Sequence, residues 1–313
     1  MVFPRGERIT WEEHEGHALV AVDGYDAIQC ETCRFIHVVP IPSVEELEDY
    51  YQSVFYQESK PDYFQSAERD RDWMNIGYDT KLDMLDQAID QSVRDSGVPR
   101  RILDIGSGPG HFLLRAKERG WTPVGLEAAP AAVEFSRGLD IEVHEGYFDG
   151  NRVNDIGKFD AIHMQHVLEH VSDPAKLLRG LPQILATGGV ICIEVPNDFS
   201  VVQETLYTSM NFPAWWVSPP EHLNYFSRES LSELLLKCRL QPVDWSTQFP
   251  IDLALVAGFD YVSDAEMGQA VHSARMKLDA QLAGRDPALL RKFYSALIGI
   301  GLGRELVVVA RLL

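Results

Sequence analysis

Short apolar runs alternate with segments of helical spacing over the last two-thirds of the chain. The seven runs lie near 101–105, 122–127, 141–145, 159–164, 190–195, 243–249 and 304–312. Runs of this length suit buried strands, and the segments between them carry apolar residues at helical intervals. Strands that alternate with helices predict a parallel sheet with right-handed crossovers. The pattern therefore predicts a doubly wound α/β domain over 99–313, with a helical insertion near 263–300.

Two smaller parts precede this domain. Residues 18–29, ALVAVDGYDAIQ, read as two strands joined at Asp23-Gly24, which is a strong hairpin signal. We therefore expect a hairpin unit over 1–45, ending in the Pro-Ile-Pro linker. We expect residues 46–98 to form a helical cap, with helical spacing at 73–89. Aromatic residues cluster near its start: Tyr50, Tyr51, Phe55, Tyr56, Tyr63 and Phe64.

The first predicted strand of the large domain leads into a glycine-rich turn. Asp104 falls at the end of the strand, Gly106, Gly108 and Gly110 follow at alternate positions, and HFLLRAKER then reads as a helix. Glycines let the backbone approach a ligand closely, and the free N–H groups of a first helical turn favour negative charge. The stretch therefore predicts a cofactor site.

Two classes of cofactor use such a turn. The dinucleotide fingerprint needs Gly or Ala at its sixth position, where this chain has His111, so an NAD-type oxidoreductase is the weaker alternative. The next strand, TPVGLE, ends in Glu127, 17 residues after Gly110. An acid at that place can accept hydrogen bonds from both ribose hydroxyls of a nucleoside cofactor.

The order of several motifs carries a family resemblance. Asp-x-Gly-x-Gly-x-Gly at 104–110 resembles motif I of the class I S-adenosylmethionine-dependent methyltransferases. FDAIHMQHVLEHVSDP (159–174) and GGVICIEVPN (188–197) resemble their fourth and fifth strands, and PPEHLNYFS (219–227) resembles a segment of a bacterial sugar and small-molecule branch. The resemblance implies a Rossmann-like, seven-stranded, mostly parallel sheet whose final strand is antiparallel, with S-adenosylmethionine as cofactor.

The resemblance also implies which residues form the site. Three histidines compete to take the proton of the acceptor. His222, next to Glu221, matches a Glu-His pair of the bacterial branch, His166 lies close to the expected methyl position, and His170 either contacts or supports the site. The implied cofactor contacts are Asp104, Gly106, Gly108, Gly110 and Glu127. Many relatives place an acid soon after the glycine of the third strand, whereas this chain has Tyr147 and Phe148, which we expect to contact the adenine by stacking or apolar packing. Gln165 follows the fourth strand, where ligands of open α/β sheets bind, so we expect it to contact the cofactor as well.

The N-terminal hairpin carries residues that suit a metal. A His-x-x-His pair at His14 and His17 precedes a Cys-x-x-Cys pair at Cys30 and Cys33, and the hairpin brings the pairs together at its open end. Two imidazoles and two thiolates suit tetrahedral, structural zinc. The bacterial branch often has a zinc ribbon with two Cys-x-x-Cys pairs. Because this chain departs from that pattern, alternative ligands are His37, Glu12 and Glu13, and an empty thiol pair is the other interpretation.

The net charge of the chain argues against nucleic acid as a partner. The chain has 47 acids and 28 bases among 313 residues, a net charge of −19, which repels nucleic acid at long range. It has no run of 18 apolar residues and no apolar signal core, so we expect a cytoplasmic protein without a membrane span.

We expect a methyltransferase acting on a hydroxyl or amine of a small molecule, for which a sugar or nucleotide-sugar is one candidate. A non-catalytic module that binds a partner through the zinc hairpin is a further alternative.

Overall fold

A computed structural model describes residues 3–43, 45–47, 68–95, 97–148 and 156–313. Its strands are β1 (Arg8–Trp11), β2 (His14–Val22), β3 (Tyr25–Cys30), β4 (Ile36–Val39), β5 (Arg101–Ile105), β6 (Thr122–Glu127), β7 (Glu142–Glu145), β8 (Phe159–Gln165), β9 (Leu185–Pro196), β10 (Asn224–Tyr225), β11 (Leu240–Ser246) and β12 (Glu305–Leu312). Its helices are α1 (Arg71–Ala88), α2 (Gln91–Arg94), α3 (His111–Glu118), α4 (Pro130–Gly138), α5 (Pro174–Gly180), α6 (Val201–Met210), α7 (Arg228–Lys237), α8 (Asp252–Val256), α9 (Ala265–Arg285) and α10 (Pro287–Gly299).

The larger sheet has seven strands in the order β11-β12-β9-β8-β5-β6-β7. Neighbours from β9 to β7 are parallel, and β12 is antiparallel to both β9 and β11. The predicted doubly wound, mostly parallel sheet is therefore confirmed. Strand β11 starts at Leu240 instead of near 243, because Leu240 pairs with Leu312 and a bulge between Pro242 and Asp244 lets the strand accommodate proline.

Helices cover both faces of this sheet. On one face, α1, α3 and α4 contribute Leu82, Leu113 and Val133 to one buried cluster. On the other face, α5 and α7 contribute Leu178 and Leu235 to a second cluster. The apolar runs seen in the sequence follow from this arrangement, since strands buried on both faces need apolar residues at successive positions.

The smaller sheet has the order β1-β2-β3-β4-β10. Asp23 and Gly24 join β2 to β3 with φ of 51° and 85°, the two positive values that a type I′ turn needs, so the predicted hairpin is confirmed. Strand β10 comes from the distant segment 219–227, and its Asn224 pairs with His37 of β4. The N-terminal sheet is thus completed by a strand that follows Glu221 and His222.

The helical predictions also correspond to observed elements. Helix α1 matches the spacing at 73–89, and α9 with α10 forms the insertion. The six aromatic residues between 50 and 64 lie outside the described residues. In the described part of the chain, no helix is both long and apolar enough to cross a membrane.

A buried ion pair fastens α1 to the large sheet. Lys81 Nζ lies 2.5 Å from Glu194 Oε2 of β9 and 2.7 Å from Gln165 Oε1 of β8. The side chains of Lys81 and Glu194 are 4% and 0% exposed. Burial opposes the charge of Glu194, but Lys81 outweighs it and holds the pKa of that carboxyl below its usual value. Each charge therefore depends on the other.

We expect Lys81→Met to lower the free energy of unfolding by about 3–5 kcal/mol, because it leaves the Glu194 carboxylate uncompensated in the interior. Urea denaturation measures the change. The control is Lys117→Met, which breaks an exposed pair with Asp140 and should cost less than about 1 kcal/mol. Equal costs for the two variants would contradict the assigned importance of the buried pair.

Candidate active site and metal cluster

The glycine turn after β5 has the backbone shape that its sequence predicts. Gly106, Gly108 and Gly110 have φ of 72°, 50° and 78°, which side chains other than glycine rarely adopt. A Cβ on Gly106 would lie 2.8 Å from Val167, and one on Gly110 would lie 2.8 Å from Ser136 Oγ. Helix α3 starts directly after Gly110 without a side-chain cap, so its first N–H groups are available to an anionic ligand.

Glu127 is placed against this turn by the parallel pairing of β5 with β6. Its Oε2 accepts a hydrogen bond from the Gly108 N–H at 2.8 Å, and its Oε1 accepts one from the Ala129 N–H at 2.8 Å. Burial raises the pKa of Glu127 even though these N–H groups favour its charged form. The structure therefore brings the predicted acid to the predicted glycines.

Asp104 points into the sheet. Its Oδ1 lies 2.6 Å from Nδ1 of the buried His163. The two residues lie opposite each other because β5 and β8 pair in parallel. The His163 ring also stacks on Phe112 of α3, with centroids 3.7 Å apart. Asp104 is thus bound, through His163, to the neighbouring strand and to α3, and no motif in the sequence indicates His163. A contact of Asp104 with a cofactor stays a prediction.

The other predicted cofactor residues lie along the same edge of the sheet. Tyr147 is exposed after β7, whereas Phe148 packs against the buried cluster that includes Leu178. Gln165 ends β8 and accepts the hydrogen bond from Lys81. Their contacts with an adenine or a methyl group stay predictions.

The three candidate bases gather around one buried carboxylate, Glu169. His166 Nδ1 lies 2.9 Å from Glu169 Oε1, and His170 Nε2 lies 3.8 Å from the same oxygen. The His222 ring stands edge-on to His170, with centroids 4.9 Å apart. Sequence reasoning missed Glu169, although it stands inside the quoted VLEH motif.

The Glu-His segment reaches this cluster through its backbone as well. The carbonyl of Glu221 accepts a hydrogen bond from His170 Nδ1 at 2.5 Å. The carboxylate of Asp198 lies 3.9 Å from His222 Nδ1. Asp198 also binds Arg304, whose Nη1 lies 2.7 Å from its Oδ1. The base role of His222 and the orienting role of Glu221 stay predictions.

A second cluster lies on the small sheet. His14, Cys30, Cys33 and His37 each offer a ligand atom, and these atoms all lie within 4.8 Å of one another. His14 Nδ1 is 3.7 Å from Cys30 Sγ and 3.4 Å from Cys33 Sγ. The predicted pairing of the Cys-x-x-Cys segment with His14 is therefore observed.

His17 does not belong to this cluster. Residues three apart on a strand point to opposite faces, so His17 leaves the face of β2 that carries His14, and its Nδ1 lies 3.2 Å from the Gly6 carbonyl. His37 of β4 takes the fourth place instead. Its Nδ1 donates to the Val38 carbonyl at 3.0 Å, and its buried Nε2 has no hydrogen-bond partner among the described residues.

The sequence profile of one protein family, described as a methyltransferase domain, matches residues 68–242, which is more than half of the chain. The chain belongs to this methyltransferase family. The matched range contains the glycine turn, Glu127, the cluster around Glu169, and the Glu-His segment. The predicted resemblance to the class I S-adenosylmethionine-dependent methyltransferases is confirmed. The family match does not support the alternative of an NAD-type oxidoreductase.

Several known proteins are similar to this chain. A trans-aconitate 2-methyltransferase of Rhodococcus jostii (strain RHA1) is 29% identical over 39% of the chain and 48% of the relative. A ubiquinone biosynthesis O-methyltransferase of Alkalilimnicola ehrlichii is 31% identical over 31% of the chain and 42% of the relative. The chain spans about half the length of the curated relatives it matches. A solved methyltransferase of Archaeoglobus fulgidus is similar with a TM-score of 0.49 and 20% identity, over 79% of this chain and 98% of that one.

Two of the three histidines in the cluster around Glu169 have shifted pKa values of opposite direction. Burial lowers the pKa of His166, but the carboxylates of Glu305 and Glu169 outweigh it and raise that pKa to about 9. Burial lowers the pKa of His170 to about 4. At neutral pH His166 is therefore protonated and cannot accept a proton from the acceptor, whereas His170 is neutral.

We expect NMR titration of the histidine rings to show a midpoint near pH 9 for His166 and near pH 4 for His170. Because the folded pKa of His166 is raised, its contribution to stability is complete below about pH 6.5 and is lost as the pH rises through about 9. Glu169→Gln should move the His166 midpoint downward, since it removes a stabilising negative charge. An unchanged midpoint in that variant would contradict the assigned pairing.

Proposed function

We propose that this chain transfers the methyl group of S-adenosylmethionine to a hydroxyl or amine of a small molecule. The observation that carries the proposal is the contact between Glu127 and the Gly108 N–H at the carboxyl ends of β5 and β6. Ligands of open α/β sheets bind outside the carboxyl ends of the strands. The family assignment, and relatives named for trans-aconitate and ubiquinone biosynthesis, support a small-molecule acceptor.

The residues present fit this cofactor. The left-handed glycines leave a cradle that side chains would fill, and the uncapped start of α3 offers N–H groups to a carboxylate. Glu127 is the acid available for ribose hydroxyls. The bound sulfonium supplies an activated methyl group, so the remaining task of the protein is to align the acceptor and to take its proton. A sugar or nucleotide-sugar acceptor rests on the resemblance of 219–227 alone.

Calorimetry tests the cofactor. S-adenosylhomocysteine should bind, and Glu127→Ala should weaken its binding by roughly 1.5–3 kcal/mol, the worth of a hydrogen bond to a charged group. Glu142→Ala, an exposed acid at the start of β7, is the matched control and should leave the affinity unchanged. Tight binding of NAD without any response to S-adenosylhomocysteine would overturn the proposal, and methyl transfer to any acceptor would exclude a non-catalytic module.

We also propose that His14, Cys30, Cys33 and His37 hold a structural zinc ion. The buried, unpartnered Nε2 of His37 fits a metal ligand, because its Nδ1 is already bound to a carbonyl in the way that orients metal-binding histidines. Four protein ligands close a tetrahedral site, which leaves no position for a substrate. Zinc here would therefore support folding, not the chemical step.

Elemental analysis tests the zinc. Protein purified without chelator should carry about one zinc per chain, because two thiolates and two imidazoles complete a structural site. His37→Ala should lose most of the metal and lower the stability, and Cys30→Ser should do the same. His17→Ala removes the same ring from the opposite face of β2 and should keep the metal. Metal-free wild-type protein, or equal losses in the His17 and His37 variants, would refute this ligand set.

A further inference from the structure

A cavity of about 290 Å³ lies between α1, α9, α10 and the carboxyl edge of the large sheet. Gln165 and His166 at the end of β8 line it, which connects it to the candidate active site. Its walls include three aromatic rings, from Trp73, Tyr78 and Tyr294. The size and the aromatic walls suit a small planar molecule. His222 is not among the lining residues.

One carboxyl group in this cavity is unsatisfied. Glu305, the first residue of β12, is 9% exposed, and its buried Oε2 makes no hydrogen bond with a described residue. Burial raises the pKa of Glu305 to about 7, although His166 and Arg304 oppose the shift. A buried carboxylate oxygen without a hydrogen bond costs free energy, and a ligand O–H or N–H group that donates to it removes that cost.

One cation in the same cavity is also unpaired. Arg275 of α9 lies over the Trp73 ring at 4.7 Å, and its Nε donates to His272 Nδ1 at 2.9 Å. It forms no ion pair with any described carboxylate, and burial lowers the pKa of its guanidinium. Its terminal nitrogens are therefore free to bind an anion, which a guanidinium does with two parallel hydrogen bonds.

The remaining charges of the cavity already have partners. Asp279 accepts a hydrogen bond from Trp73 Nε1 at 2.8 Å and another from the Tyr294 hydroxyl, so it fixes two of the aromatic walls. Lys81 binds Glu194, which also accepts from Gln248 Nε2. His166 is paired with Glu169, so among the described residues of the cavity Arg275 and Glu305 are the two charged groups that a ligand could satisfy.

We propose that this cavity binds a small aromatic hydroxy or amino acid, with Arg275 holding its carboxylate and Glu305 taking the proton of the group that is methylated. The inference rests on the proposed methyltransferase function and names its class of acceptor. The acceptor oxygen or nitrogen forms a bond to the methyl carbon as the carbon–sulfur bond breaks, and that electron pair goes to sulfur. The proton of the acceptor moves to the Glu305 carboxylate, which leaves it as a carboxylic acid.

The first experiment compares two probes that differ in one group. In the presence of S-adenosylhomocysteine, calorimetry measures the binding of 3,4-dihydroxybenzoate and of its neutral amide, 3,4-dihydroxybenzamide. The acid should bind about 10–100-fold more tightly, because only it offers a charge to Arg275. Arg275→Met should abolish the difference, and Arg275→Lys should restore part of it. Arg285→Met, at the exposed end of the same helix, is the matched control and should keep it.

The second experiment tests Glu305. With 3,4-dihydroxybenzoate, Glu305→Gln should lower turnover by roughly 10²–10⁴-fold at an unchanged KM, and Glu305→Asp should recover part of the rate. The wild-type rate should rise with pH through about 7, and this rise should be absent in Glu305→Gln. The charged groups that face Glu305, or share its cavity, are His166, Glu194, Asp198, Arg304, Lys81, Arg275 and Asp279.

The outcomes separate this inference from the function on which it rests. Failure of S-adenosylhomocysteine to bind the wild type would remove the proposed function itself. If S-adenosylhomocysteine binds but the acid and the amide bind equally, or neither binds, the acceptor assignment is overturned. Retention of S-adenosylhomocysteine affinity by each variant shows that it is folded. Wild-type turnover and pH profile in Glu305→Gln would remove the base role.

Discussion

A lysine ammonium and a glutamate carboxylate meet 2.5 Å apart in the interior, where α1 crosses β9. Removing both charges from water is expensive, so their mutual position is tightly held. The same ammonium binds Gln165, and the same carboxylate binds Gln248, so the pair connects α1, β8, β9 and the loop after β11. All four side chains line the cavity, so the shape of its wall depends on these connections.

Much of the fold was accessible from the sequence because both faces of a covered parallel sheet demand apolar residues. The seven runs, the Asp23-Gly24 turn and the spacing of α1 each corresponded to an observed element. Strand β10 did not, because two residues are too few for any periodicity. The start of β11 was predicted too late for a different reason. Pro242 argues against a strand when the sequence is read alone, and only the bulge beside it lets the strand include it.

Less of the candidate site was accessible, and the reasons are geometrical. The glycines and Glu127 lie within one β-turn-α-β unit, so their spacing predicts their proximity. The members of the metal cluster depend on which side chains share one face of the small sheet. Alternation along β2 places His14 and His17 on opposite faces, and His37 reaches the cluster from β4. Arg275 and Glu305 lie far apart in the chain and belong to no motif, so only the packing of α9 over the sheet edge brings them to one cavity.

The pairing of β10 with β4 joins residues that lie far apart in the chain, since β10 is near the end of the family domain and β4 belongs to the N-terminal sheet. During synthesis on the ribosome, the edge of β4 must remain uncovered until residue 225 has emerged, long after the first hairpin could close. Pairing of such distant segments raises the contact order and slows folding, and an open strand edge invites pairing with other chains in that interval. The N-terminal sheet therefore lacks its fifth strand until most of the methyltransferase domain has been made.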